Sequence, residues 1–327
     1  MRGDFPDFDV LYSEERSREL LIHSAQVEAE GYCTWTRLRE VAEFARRMGF
    51  GKVGLPHCPD MSEEADMVRS RLQDLGLEGH LPPPSLGGDP SGQADYFAKN
   101  QFDLNLIAGM CVAHEALFLG ATEAQTVSLI ARDRRLHHNP AAGLYTSRSY
   151  LQKELFGHWP KDRRPEREGS GLEGLRAVSL DTECSNGPIR SRVAEAMDFA
   201  QAVGASHIGV SFCVGFREEA KTLSKILDTN GFQVSSACCK AGAVPKERAG
   251  IRDDQKVTPG KPEMVCNPIG QATLLNRDQA EFVLVLGQCV GHDAATLAHL
   301  QAPAAVLVAK DRVLAHNTVA ALYSPQT

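Results

Sequence analysis

The chain has no long basic run, no apolar stretch of membrane-spanning length and no CxxC pair. Each absence removes a class of function. A net charge of -7 without clustered Lys and Arg argues against a nucleic-acid backbone as the main partner, because phosphate binding needs concentrated positive charge. The opening MRGDFPDFDVLYSEERS lacks the basic and apolar regions of a secretory signal, so a cytoplasmic protein with no membrane partner is expected. Without a CxxC pair, a zinc ribbon or finger is disfavoured. The partner is expected to be a small-molecule substrate or a redox partner protein, and an oligomer is compatible with the composition.

What the chain does have is cysteine, nine in all. In a reducing compartment an odd set of thiols stays free or binds metal instead of forming a disulfide framework. The 327 residues, 43% of them hydrophobic, are enough for two domains rather than one.

An internal repeat supports that division. GMCVAHEA at Gly109 to Ala116 returns as GQCVGHDA at Gly287 to Ala294, a shift of 289 - 111 = 178. The same shift carries ARDRRLHHNPAAGLY (Ala131 to Tyr145) onto AKDRVLAHNTVAALY (Ala309 to Tyr323), and roughly 18 of the 43 positions from Asp103 to Tyr145 are identical. Upstream, AEFARRMGFGKVGLPHC ending at Cys58 matches MDFAQAVGASHIGVSFC ending at Cys213, a shift of 213 - 58 = 155. A looser pair is Cys33 in EGYCTWTRL and Cys184 in DTECSNGPIR, so three cysteines per copy correspond.

GHWPKDRRPEREGSGLEG between the copies is charged and bears Pro and Gly, as a surface linker should. The expected organisation is a first repeat over 1–156, a linker over 157–176 and a second repeat over 177–327. Hydrophobic periodicity in the second copy predicts strands at Ser206 to Phe212, Phe232 to Ala237, Phe282 to Gly287 and Ala304 to Ala309. Helices are expected near Val193 to Val203, Arg217 to Thr229, Cys266 to Leu275 and Ala294 to His299. Alternation of this kind implies an α/β fold: two tandem Rossmann-like units, each a parallel sheet with helices on both faces.

Ligands of open α/β sheets bind beyond the carboxyl ends of the strands. Cys58, Cys111, Cys213, Cys289 and the Cys238-Cys239 pair all fall at expected strand ends, while Cys33 and Cys184 precede helices. One free cysteine alone is most often an inert buried thiol. Three matched positions near one rim are harder to explain by packing. Dispersed thiolates converging from several strand ends suit a soft metal site, with a 4Fe-4S iron-sulfur cluster as the leading case and zinc as the alternative. The first copy offers Cys33, Cys58 and Cys111; the second offers Cys184, Cys213 and Cys289, with Cys238, Cys239 and Cys266 in addition.

Beside the thiols each copy keeps His114 or His292 followed by an acid, then Arg132-Asp133-Arg134 or Lys310-Asp311-Arg312, His138-Asn139 or His316-Asn317, and Tyr145 or Tyr323. His114, Asp133, His138, His292, Lys310, Asp311, His316 and Asn317 are therefore candidate catalytic residues. A structural reading stands beside this one, since Asn139 before Pro140 has the form of a helix cap and an Asp-Arg pair can simply be an ion pair. The G-x-G-x-x-G at Gly49 to Gly54 is set aside, because it precedes a strand, whereas a dinucleotide fingerprint follows one.

EGYCTWTRLREVAEFARRMG, IGVSFCVGFREEAKTLSKIL, SSACCKAGAV, CNPIGQA, GQCVGHDA and AKDRVLAHNTVAALY resemble an uncharacterised prokaryotic family described as a domain of unknown function or as metal-binding proteins. The resemblance spans most of the chain and is fuller in the second copy. It implies that Cys213, Cys238, Cys239, Cys266 and Cys289 occupy the family's cysteine positions, and that Cys33 occupies its Y-C-x-x-T-R-L cysteine. It implies metal and no particular reaction. The chain departs from the family pattern in carrying a second, reduced copy.

Two functions follow as expectations. One is a non-redox iron-sulfur enzyme of lyase or desulfurase type, with an open iron polarising a small substrate held by the His and Asp sets. The other is a redox carrier, metal sensor or metallochaperone in which those sets only hold the fold.

Overall fold

The computed structural model describes residues 6–157 and 189–323, which leaves Cys184 and all but the first residue of the expected linker outside the described residues. The first unit opens with helices α1 (Phe8–Leu11), α2 (Glu15–Glu30) and α3 (Arg37–Arg47). Leu38, Val41, Ala42, Phe44 and Ala45 are the buried apolar positions of α3, a helical stripe that fixes which side faces the sheet. Then β1 (Lys52–Gly54), α4 (Ser62–Asp74), β2 (Glu78–His80), α5 (Pro90–Lys99), β3 (Leu104–Met110), α6 (Val112–Ala121) and β4 (Gln125–Ala131) alternate, followed by α7 (Pro140–Tyr145) and α8 (Gln152–Phe156).

The second unit repeats the pattern with α9 (Arg192–Ala202), β5 (His207–Phe212), α10 (Arg217–Thr229), β6 (Gln233–Cys238), α11 (Pro268–Arg277), β7 (Phe282–Leu286), α12 (His292–His299), β8 (Ala304–Val308) and α13 (Ala320–Tyr323). Every expected strand and helix of this copy is present with ends within two residues. The sheets have matching orders, β2-β1-β3-β4 and β6-β5-β7-β8, and every pairing within them is parallel. Their central strands β3 and β7 are buried at every residue, as parallel strands covered on both faces must be.

The recurrent glycine at each central strand end has a local cause. Gly109 (φ 102°) and Gly287 (φ 64°) lie in the left-handed region, and a Cβ there would collide with Met61 and Phe216, respectively. Each glycine lets the turn after the neighbouring strand fold over the strand end, which is where the cysteines lie.

The two units share one apolar core and interlock across it: α6 packs on β8 and α12 on β4. The start of α3 is capped from the other unit, because the Asp311 carboxylate accepts the Arg37 N–H at 2.8 Å. At the equivalent place Asp133 accepts the Arg192 N–H of α9, also at 2.8 Å. No helix among the described residues is long and apolar enough to cross a membrane.

Candidate metal centres

Strand register brings the second unit's thiols together. Phe212 at the end of β5 pairs with Cys238 of β6 on one side and Leu286 of β7 on the other, so the three strands finish side by side. Cys213 and Cys239 follow directly, and Cys289 comes three residues after Leu286. Cys266 joins them because the loop before α11 returns to the rim, with the Asn267 N–H donating to the Cys239 carbonyl at 2.7 Å. Cys239 is in contact with Cys213, Cys238 and Cys266, and Cys213 is also in contact with Cys289. His292, the first residue of α12, lies against Cys266 and Cys289.

This cluster is buried and ringed by cations. Lys310 Nζ donates to Cys213 Sγ at 2.8 Å and to Cys289 Sγ at 3.3 Å, Arg312 donates to Cys289 Sγ at 3.2 Å, and Lys240 donates to Cys266 Sγ at 3.3 Å. Backbone amides add to this: Val214 N–H points at Cys239 Sγ (3.2 Å) and Gly215 N–H at Cys213 Sγ (3.4 Å). Hydrogen bonds from Cys239 and Cys289, with Lys310 nearby, hold the Cys213 thiol well below its ordinary pKa against the opposing effect of burial. Cys266 is held down in the same way by Cys239, with His292 and Lys240 contributing. Cys239, surrounded by the other sulfurs, is pushed up. Burial disfavours charge on His292, yet the Cys266 and Cys289 sulfurs outweigh it and push its pKa up to about 10.

The first unit supplies an outer wall of this centre. Glu28 of α2 accepts from Cys289 Sγ at 3.3 Å and pairs with Arg312, whose guanidinium also meets Glu40 of α3 at 3.2 Å and stacks on Tyr32 at 5.0 Å. Burial, with Cys289 beside it, pushes Glu40 up to about 8. Glu28, Tyr32, Glu40 and Lys240 were absent from the sequence-based candidates. Lys240 was legible as the residue after the Cys-Cys pair. The other three carry no local signal, since they act on the opposite unit.

In the first unit Cys58, Cys111 and His114 form a tighter group, with their ligand atoms all within 4.8 Å of one another. Cys58 Sγ lies 3.2 Å from His114 Nδ1 and accepts the Cys111 N–H at 3.4 Å. The third member is thus His114. Cys33 is exposed, in a left-handed turn (φ 56°) next to Tyr32, and is not part of this group. Arg132, at the position of Lys310, forms an ion pair with Asp60.

The remaining candidates hold the loops after β4 and β8. Asp311 Oδ1 accepts the N–H groups of Val313 and Leu314, and Asp133 Oδ1 those of Arg135 and Leu136. His316 Nδ1 accepts the Asp311 N–H at 3.2 Å and its ring lies on Phe216. Burial, with Lys310 close by, lowers His316 to about 4, so the ring stays neutral. His138 makes the equivalent bond to Asp133 N–H at 3.3 Å.

The donor set fits a soft metal. Four cysteines, Cys213, Cys239, Cys266 and Cys289, buried to 6% exposure or less converge, the Cys213 and Cys266 thiols held below their ordinary pKa, and the buried Nε2 of His292 has no hydrogen-bond partner among the described residues. This geometry falls within a chain matched over residues 6–81, 86–129 and 171–307 by the family described as "Protein of unknown function (DUF1847)". The chain belongs to the DUF1847 family. A relative, an uncharacterised protein of Methanocaldococcus jannaschii, is 38% identical over 150 residues, which cover 46% of this chain and 76% of that protein. The aligned length is close to that of one unit. Among solved structures, the match to a LacI-family transcription regulation repressor from Corynebacterium glutamicum covers 76% of this DUF1847 protein and 70% of that chain at 9% identity, with a TM-score of 0.19.

Proposed function

We propose that the protein is a metalloprotein whose principal centre is an iron-sulfur cluster held by cysteines of the second unit. The observation that carries this reading is the convergence of Cys213, Cys239, Cys266 and Cys289 inside a ring formed by Lys240, Lys310 and Arg312. Soft thiolate donors drawn from separate strand ends favour such a cluster. A tetrathiolate centre keeps net negative charge, which offsets the cost of burying those cations. Burial of all four thiols favours a closed centre for electron transfer or sensing over an iron open to substrate.

The first unit favours a different occupant. Ligand atoms of Cys58, Cys111 and His114 within 4.8 Å of one another suit one tetrahedral ion such as zinc, with the fourth position left to another ligand.

Anaerobic purification with visible spectra and iron, sulfide and zinc analysis tests both statements. Brown protein with sulfide is expected, with iron lost in Cys213→Ser and Cys289→Ser, and zinc lost in Cys58→Ser and Cys111→Ser. A colourless preparation free of sulfide, with zinc in both units, would overturn the iron-sulfur assignment.

A further inference from the structure

The repeated His-Asn pairs and terminal tyrosines lie outside both centres, and three observations bring them together. First, the loop after β4 passes through two successive left-handed residues, His137 (φ 48°) and His138 (φ 61°), and the loop after β8 does the same at Ala315 (φ 50°) and His316 (φ 66°). Left-handed backbone is costly for residues with a Cβ, and such strain concentrates at ligand sites. Here it turns the His138 ring so that Nδ1 accepts the Asp133 N–H, which leaves the proton on Nε2 and fixes the tautomer.

Second, Oδ1 of Asn139 and Oδ1 of Asn317 are both buried without a hydrogen-bond partner among the described residues. A buried amide oxygen without a donor is costly. Its recurrence at equivalent positions indicates a site that expects a donor from elsewhere.

Third, each terminal tyrosine crosses to the other unit. The Tyr323 hydroxyl donates to Glu64 Oε1 of α4 at 2.9 Å, and Tyr145 meets Glu219 of α10. Glu64, His137, His138, Asn317, Val319 and Tyr323 thereby line one cleft of about 430 Å³ between the units.

We propose that this cleft binds a small molecule bearing a protonated aliphatic amine. Glu64 contributes negative charge, and Asn317 offers an acceptor oxygen that lacks a donor. Burial, followed by the influence of Arg132, holds the His138 pKa below the ordinary value despite Glu64, and so disfavours positive charge on that ring. An ammonium group carries three N–H donors, enough to pair with the carboxylate and to satisfy the amide oxygen as well. The Tyr323 ring, exposed at the rim, adds a face for the cation. Asn317 therefore works with His138 and Glu64 of the opposite unit, and the cleft exists only when the two units are docked.

Calorimetric titration of the full chain with 1,4-diaminobutane and with the uncharged 1,4-butanediol tests the proposal. The diamine is expected to bind and the diol to give no measurable binding. Glu64→Gln should weaken the diamine at least tenfold and Asn317→Ala several-fold, with folding checked by circular dichroism. Glu218→Gln, on the exposed face of α10, should leave the affinity unchanged and so controls for general attraction to an acidic protein. Absence of diamine binding, equal binding of the diol, unchanged affinity in either cleft variant, or equal weakening by Glu218→Gln would overturn it.

Discussion

Arg37 of the first unit forms a fully buried ion pair with Asp293 of the second, and Arg192 of the second forms its counterpart with Glu115 of the first. The exchange extends to the backbone. Arg37 also donates to the carbonyls of Ser128, Gln288 and Lys310, while Arg192 donates to those of Val306, Met110 and Arg132. Each guanidinium thus ties together the edge strand of its own unit, or the loop after it, and the strand ends that carry the other unit's site.

Removing either arginine should be strongly destabilising, because it leaves an uncompensated carboxylate and several carbonyls in the interior. Arg37→Ala and Arg192→Ala are each expected to cost about 3–5 kcal/mol in urea unfolding. The double variant Arg37→Met with Asp293→Leu should recover part of that loss. Single variants within about 1 kcal/mol of the parent would show that the pairs do not hold the units together.

Lys310 should matter to the second centre through charge. Its Nζ lies 2.8 Å from Cys213 Sγ, and the sulfurs of Cys289 and Cys213 raise its own pKa against burial, so it stays protonated at any working pH. Lys310→Met removes a positive charge and two N–H···S bonds. In chelator competition, metal affinity is expected to fall about tenfold or more, since charge-assisted bonds are worth about 1.5–3 kcal/mol each. Unaltered affinity would place the lysine outside the electrostatics of the centre.

Cys238 gives a pH signature. A hydrogen bond from Cys239 lowers its pKa to about 6 despite partial burial, and its side chain is only partly covered. The thiolate is the reactive form, and a depressed pKa keeps it populated until pH falls through about 6. In metal-free protein, iodoacetamide should therefore modify Cys238 at a rate that rises up to about pH 7 and then levels off. A rate still climbing through about pH 8–9, as for an ordinary thiol, would contradict the lowered value.

Wherever local pattern decides, the structure was legible in the residues. The all-apolar FVLVL and AAVLV runs read as covered parallel strands, and both strands are parallel and buried at every residue. The paired GMC and GQC segments marked two strand ends because each glycine adopts a backbone that other residues resist. Cysteines read as strand-end residues, Cys58, Cys111, Cys213, Cys239 and Cys289, do lie on those rims.

Assignment across the units was not legible. Asp133 and Asp311 read as candidate catalytic residues; each also caps a helix of the other unit, a role with no local signature. Cys33 read as a partner of Cys58 and Cys111, whereas the third ligand atom of that group belongs to His114. Sequence periodicity alone determined the strands, the helices and the rim on which the sulfurs sit, because these depend on neighbours a few residues apart. Only the tertiary structure decided which charges meet across the units, since Glu28, Glu40, Asp133 and Asp311 act on residues more than fifty positions away.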